Sequence, residues 1–144
     1  MTGTNTWRRV GVAAAAVGAG IGAAMAAPGV AAASTVQPFQ IQAAPFGNPN
    51  GSFDAPPIRC GLETGVRSGQ LTVTGIAPGR WGCPPFAQVR WANLSTGRTG
   101  VARLSAGLNG RPAEATLSTG RGQVVLALTT SGIVTPGFAT IAVP

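Results

Sequence analysis

The strongest constraint on this chain is a period-two pattern of apolar and polar side chains. Between Pro84 and Leu104 the sequence runs Pro-Pro-Phe-Ala-Gln-Val-Arg-Trp-Ala-Asn-Leu, then Ser-Thr-Gly-Arg, then Thr-Gly-Val-Ala-Arg-Leu. Val89 and Trp91 stand two apart, flanked by Gln88, Arg90 and Asn93. Period two sends successive side chains to opposite faces, so the pattern predicts a strand with one buried face. Gly97 then turns the chain back into a second strand, and the unit reads as a hairpin. Trp91 is expected to anchor the core, because a buried indole removes more apolar area from water than any other side chain of the hairpin. Val101 and Leu104 differ in parity, which predicts a bulge between them.

The alternation recurs along the chain. In Gln70–Ile76 it places Leu71 and Val73 inward. Gln123–Thr129, with Val-Val-Leu-Ala-Leu inside it, is the most apolar segment and is expected at a sheet centre with both faces partly covered. Ala113–Leu117 and Gly137–Val143 supply two more strands. Turns fall at Ala77-Pro78-Gly79-Arg80 and at Leu108-Asn109-Gly110-Arg111-Pro112. No segment has the 3.6-residue period of an amphipathic helix. Six to seven short strands separated by turns predict an all-β fold, a single immunoglobulin-like β-sandwich over residues 58–144.

The N-terminal third has a different composition. Arg8 and Arg9 precede an uncharged stretch rich in Ala, Val and Gly, and Ala31-Ala32-Ala33 stands before Ser34. That order is the pattern of an export signal with a small-residue cleavage site, so residues 1–33 read as a signal peptide. An uncleaved anchor is the alternative, but Ala and Gly contribute little burial energy in a bilayer. Paired arginines also raise twin-arginine export, although Trp7 and Val10-Gly11-Val12 around them fit an ordinary charged start better. Residues 34–57 carry Pro38, Pro45, Pro49, Pro56 and Pro57 and read as a flexible arm, with a short edge strand available at Phe39-Gln40-Ile41-Gln42. Phe39, Phe46 and Phe53 recur every seven residues in it; they either dock onto a partner or pack back on the domain.

Cys60 and Cys83 are the only thiols, and an exported chain meets an oxidising compartment. They are expected to pair, tying the first strand of the domain to the loop before the Trp91 strand. Such a bridge contributes about 3 kcal/mol in the chain-entropy picture. A zinc site would need three or four ligands, and with no His the set has no obvious completion. No metal or cofactor is expected.

The inventory of reactive groups is small. There is no His, Lys or Tyr, and Asp54, Glu63 and Glu114 are the only acidic side chains. A serine nucleophile lacks a base, and Glu63 with Glu114 is the only carboxylate pair the domain offers. An enzyme is therefore not expected. What remains is arginine: eight in residues 34–144 against three acids, a net charge of +5. Arg80, Trp81, Arg90, Arg98 and Arg121 are the candidate contacts for an anionic partner, since guanidinium binds anionic oxygen and stacks beside indole. The plainer alternative is that arginine simply keeps a lysine-free protein soluble. Leu94-Ser95-Thr96-Gly97-Arg98 recurs as Leu117-Ser118-Thr119-Gly120-Arg121. The repeat reads either as one surface built of two equivalent loops or as turn chemistry used twice.

The Ala-rich leader, the lysine-free domain, the hairpin Trp91-Ala92-Asn93-Leu94-Ser95-Thr96-Gly97 and the closing strand Phe138-Ala139-Thr140-Ile141-Ala142-Val143-Pro144 resemble small secreted β-sandwich proteins of actinobacteria. The resemblance covers residues 58–144 and implies a source and a compartment; it carries over no site residues. Enediyne-carrier chromoproteins are similar in size and export, but they usually carry two disulfides where this chain can form one. The expected role is a secreted, non-enzymatic binding or structural protein of the bacterial cell envelope, with an anionic envelope component or an acidic protein as partner. Export argues against nucleic acid. The alternative is a freely secreted inhibitor, presenting a rigid loop near Cys83-Pro84-Pro85, or a carrier with an apolar cleft between sheets.

Overall fold

The computed structural model describes residues 33–45, 50, 57–77 and 82–144. The signal-peptide reading falls outside them except at Ala33, as do Phe46, Phe53, Asp54, Arg80 and Trp81. Among the described residues ten strands follow in order: β1 Thr35–Pro38, β2 Ala44–Pro45, β3 Cys60–Thr64, β4 Leu71–Gly75, β5 Gln88–Asn93, β6 Thr99–Arg103, β7 Ala115–Leu117, β8 Gly122–Thr129, β9 Val134–Thr135 and β10 Gly137–Val143. No described residue is helical.

The strands form two four-stranded sheets and one small pair. One sheet has the order β1-β3-β4-β7, the other β10-β8-β5-β6, and β2 pairs with β9. All strand pairs are antiparallel. Three strands, β3-β4-β7, face four, β10-β8-β5-β6, and the chain changes sheet after β4, β6 and β7. This is an immunoglobulin-like sandwich.

Alternation decides which side chains meet between the sheets. Leu62, Leu71, Val73, Val89, Leu117, Val124, Leu126, Leu128, Ala139, Ile141 and Val143 are all buried in one cluster. Each large aliphatic side chain so buried contributes about 2 kcal/mol. β8 lies between β10 and β5, as its composition predicts. Cys60 and Cys83 form a disulfide with Cα atoms 4.7 Å apart, joining β3 to the segment before β5.

Three expectations at the hairpin change. Val101 points outward and is exposed, while Ala102 and Leu104 point in. The ladder runs on regularly to the bond from the Leu104 N–H to the Ala87 carbonyl, so no bulge is needed. Trp91 packs against the core but is only half-buried, because β6 beside it is the edge of its sheet. Its ring lies over its cross-strand partner Gly100, where an added Cβ would come within 2.6 Å of the indole. Asn93 shares parity with Val89 and Trp91, and it is buried with them instead of lying on the polar face.

The flexible-arm reading of residues 34–57 is corrected over residues 35–45. β1 pairs with β3, Phe39 is 3% exposed in the core, and Ile41 pairs with Phe138 of β10. Two glutamine side chains act as extra peptide groups. Gln40 donates from Nε2 to the Thr140 carbonyl (3.1 Å) and accepts the Thr140 N–H (2.9 Å). Gln42 donates to the Cys60 carbonyl (3.0 Å) and accepts the Cys60 N–H (2.9 Å). The two clamps, on β10 and on β3, thus tie this segment to both sheets. Proline explains why this segment does not read as a long strand; side-chain amides supply the pairing that the ladder lacks.

Candidate functional site

Three loops meet where β3, β5 and β7 end. They are residues 65–70, 94–98 and 118–121, and they carry Arg67, Arg98 and Arg121 with no acidic side chain among them. The Gly120 N–H donates to the Gly69 carbonyl and joins two of the loops, and the Leu94 N–H donates to the Gln123 carbonyl of β8 at the base of the third.

Asn93 is the centre of the arrangement. It is 1% exposed, and its side chain makes five hydrogen bonds. Nδ2 donates to the carbonyls of Thr119 (3.1 Å), Gly120 (3.4 Å) and Arg121 (3.0 Å). Oδ1 accepts the N–H groups of Ser95 (2.9 Å) and Thr96 (3.1 Å). One amide therefore shapes its own turn and binds the neighbouring one. A buried amide is costly unless its donors and acceptors are satisfied, and this one is.

Arg98 completes the link. Its Nη2 donates to the Ser118 carbonyl at 3.3 Å, and its guanidinium lies across Gly120, where a Cβ would stand 3.1 Å from Nη1. Gly120 has φ of 79° and Gly97 has φ of 73°, so both turns use glycine in the left-handed region. The repeated Ser-Thr-Gly thus serves as turn chemistry, and the two copies also lie side by side. Their exposed arginines, Arg98 and Arg121, with the nearby hydroxyls of Thr96 and Ser118, offer several donors to an anionic group.

The other candidates lie elsewhere. Arg90 is on the outer face of β5, three residues or about 10 Å along the strand from Asn93. Arg80 and Trp81 are outside the described residues. Glu63 on β3 and Glu114 beside β7 are separated by β4, so the sheet does not bring the two carboxylates together. Sequence reasoning missed Asn93 and Arg67. The signal for Asn93 was available: a polar residue with inward parity just before Ser-Thr-Gly, where an Asx side chain folds back onto the turn.

No protein-family model matches the chain, and no curated protein matches it in sequence. Among solved structures it is similar to a DUF3244 family protein with an immunoglobulin-like β-sandwich fold from Bacteroides vulgatus. The identity is 14% and the TM-score 0.37, over 74% of this chain and 99% of that one.

Proposed function

We propose that the chain is a secreted, non-enzymatic binding protein of the bacterial cell envelope that holds an anionic envelope component with its arginine-bearing loop end. The observation that carries this reading is the pairing of the two Leu-Ser-Thr-Gly-Arg turns through Asn93, which sets Arg98 and Arg121 on adjacent turns. The Cys60–Cys83 disulfide fits an oxidising, non-cytoplasmic compartment, and the leader fits export into it. The separation of Glu63 from Glu114 fits binding better than hydrolysis.

The test is fractionation of a producing culture with the envelope pellet washed in rising salt. Expected is retention at low salt and release at high salt, as for exposed charge pairs screened by ions. Arg98→Gln with Arg121→Gln should release at markedly lower salt. A protein found wholly in the medium at low salt overturns the envelope reading.

An inhibitor reading has one observation of its own. Phe86, in the loop after Cys83, is exposed and has φ of 58°, an uncommon conformation for a bulky side chain. The backbone bonds from the Phe86 N–H to the Ser105 carbonyl and from the Ala87 N–H to the Pro84 carbonyl hold it there. A rigid, projecting aromatic is the kind of group that fills a partner's pocket. Phe86→Ala should abolish such inhibition without moving the salt at which the envelope pellet releases the protein.

A further inference from the structure

On the outer face of the sheet β10-β8-β5-β6 an apolar strip lies beside a polar row of Thr129, Gln88 and Arg103. Strand register aligns Phe138, Ala127, Arg90 and Val101 in one row across the four strands. The next row is Thr140, Val125, Ala92 and Thr99. Ile41 extends the first row by pairing with Phe138. Ile41, Phe138 and Val101 are 52%, 46% and 61% exposed. Two shallow grooves flank Phe138. One of about 280 Å³ lies toward Arg90, and one of about 260 Å³ lies toward Ile41.

Arg90 decides what can cover this face. It sits in the apolar row, and its guanidinium donates to Gln88 Oε1 at 3.3 Å. Among the described residues the only acidic side chains are Glu63 and Glu114, and neither lies on a strand of this sheet. Covering the face desolvates Arg90, and a buried charge without a partner is strongly unfavourable. A second copy of this chain packed on the same strip would bring arginine against arginine and, among the described residues, would supply no carboxylate there. The occupant must bring its own. Grooves on either side of a projecting ring accept protruding side chains, which a polypeptide offers and a smooth lipid surface does not.

We propose that this face is a protein-docking surface for an extended polypeptide that seats apolar side chains in the grooves beside Phe138 and places a carboxylate on Arg90. It is separate from the arginine-bearing loop end and does not depend on it.

The probe is an eleven-residue peptide alternating Glu with Val and Phe, titrated into the full-length protein and followed by backbone amide NMR shifts. A twin peptide with Lys in place of Glu is the comparison. Expected are shifts centred on residues 90–92, 125–127 and 138, with the Lys peptide binding at least tenfold more weakly. Phe138→Ser and Arg90→Gln should each weaken the Glu peptide at least tenfold, and Val101→Ser serves if Phe138→Ser does not fold. Val66→Ser, at an exposed apolar residue between β3 and β4, should leave binding unchanged. Arg98→Gln with Arg121→Gln should also leave it unchanged while releasing the protein from the envelope pellet. Failure of the Glu peptide to bind at millimolar concentration overturns the proposal, as does equal binding of the two peptides. A self-association that Phe138→Ser abolishes would assign the face to a second copy instead. Retention by anionic lipid vesicles that depends on Phe138 would assign it to a membrane.

Discussion

Leu94–Arg98 and Leu117–Arg121 have the same five residues and different surroundings. The first joins β5 to β6 within one sheet, so it projects past the sheet end, with Leu94 64% exposed. The second carries the chain from β7 in one sheet to β8 in the other, across the end of the core. There Leu117 is 3% exposed and Thr119 is fully buried. Thr96 uses its hydroxyl to accept the Arg98 N–H, whereas Thr119 donates its hydroxyl to the Gly120 carbonyl. Identical local chemistry makes both turns; topology decides which becomes structural and which stays open for contact.

Substitutions can break this pair apart. The largest effect is expected at Asn93, which serves both turns. Asn93→Ala loses five hydrogen bonds and leaves backbone groups unpaired, for about 4 kcal/mol of stability by chemical denaturation. If it costs less than about 1 kcal/mol, the two turns are not coupled through this amide. Next is leucine. Leu117→Ala should cost about 3 kcal/mol from lost burial and a cavity. Leu94→Ala should stay within about 0.5 kcal/mol, as at ordinary surface positions. Equal losses at the two sites would contradict their different burial.

Glycine gives a finer test. Gly97 has open space where a Cβ would go, so Gly97→Ala should cost only the left-handed backbone conformation, about 1 kcal/mol. Gly120→Ala must also displace the Arg98 guanidinium and should cost about 2 kcal/mol. The smallest difference is expected at the arginines. Arg98→Gln loses its bond to Ser118, at most about 1 kcal/mol, and Arg121→Gln should not change the thermal midpoint measurably.

The sandwich was legible in the sequence where one face alone is buried. Leu71 and Val73, or the Val-Val-Leu-Ala-Leu of β8, state their facing directly because parity and burial coincide. It was not legible in Gln40 and Gln42, since a glutamine that pairs like a peptide group looks the same in sequence as one in solvent. Asn93 misled for a related reason: its polarity suggested an outward residue, and its parity required an inward one. The candidate site was half legible. Composition shows that arginine dominates the polar chemistry, but Arg90, Arg98 and Arg121 are equivalent until register puts one on a sheet face and two on a shared end. Arg67 comes to that end on the turn between β3 and β4, which Gly69 bonds to Gly120 and to Pro144.

The glutamine clamps also set an order of events in time. Gln40 closes on Thr140, one hundred residues further along the chain, and Ile41 pairs with Phe138. Neither contact can form until almost the entire polypeptide has been made or has emerged from an export channel. Contacts of such long range slow folding, because the intervening chain must be ordered first. The contacts of Gln40 and Ile41 with β10 are therefore expected to form after the pairing of β1 with β3, and to open before it in native-state hydrogen exchange, leaving the edge of β10 uncovered.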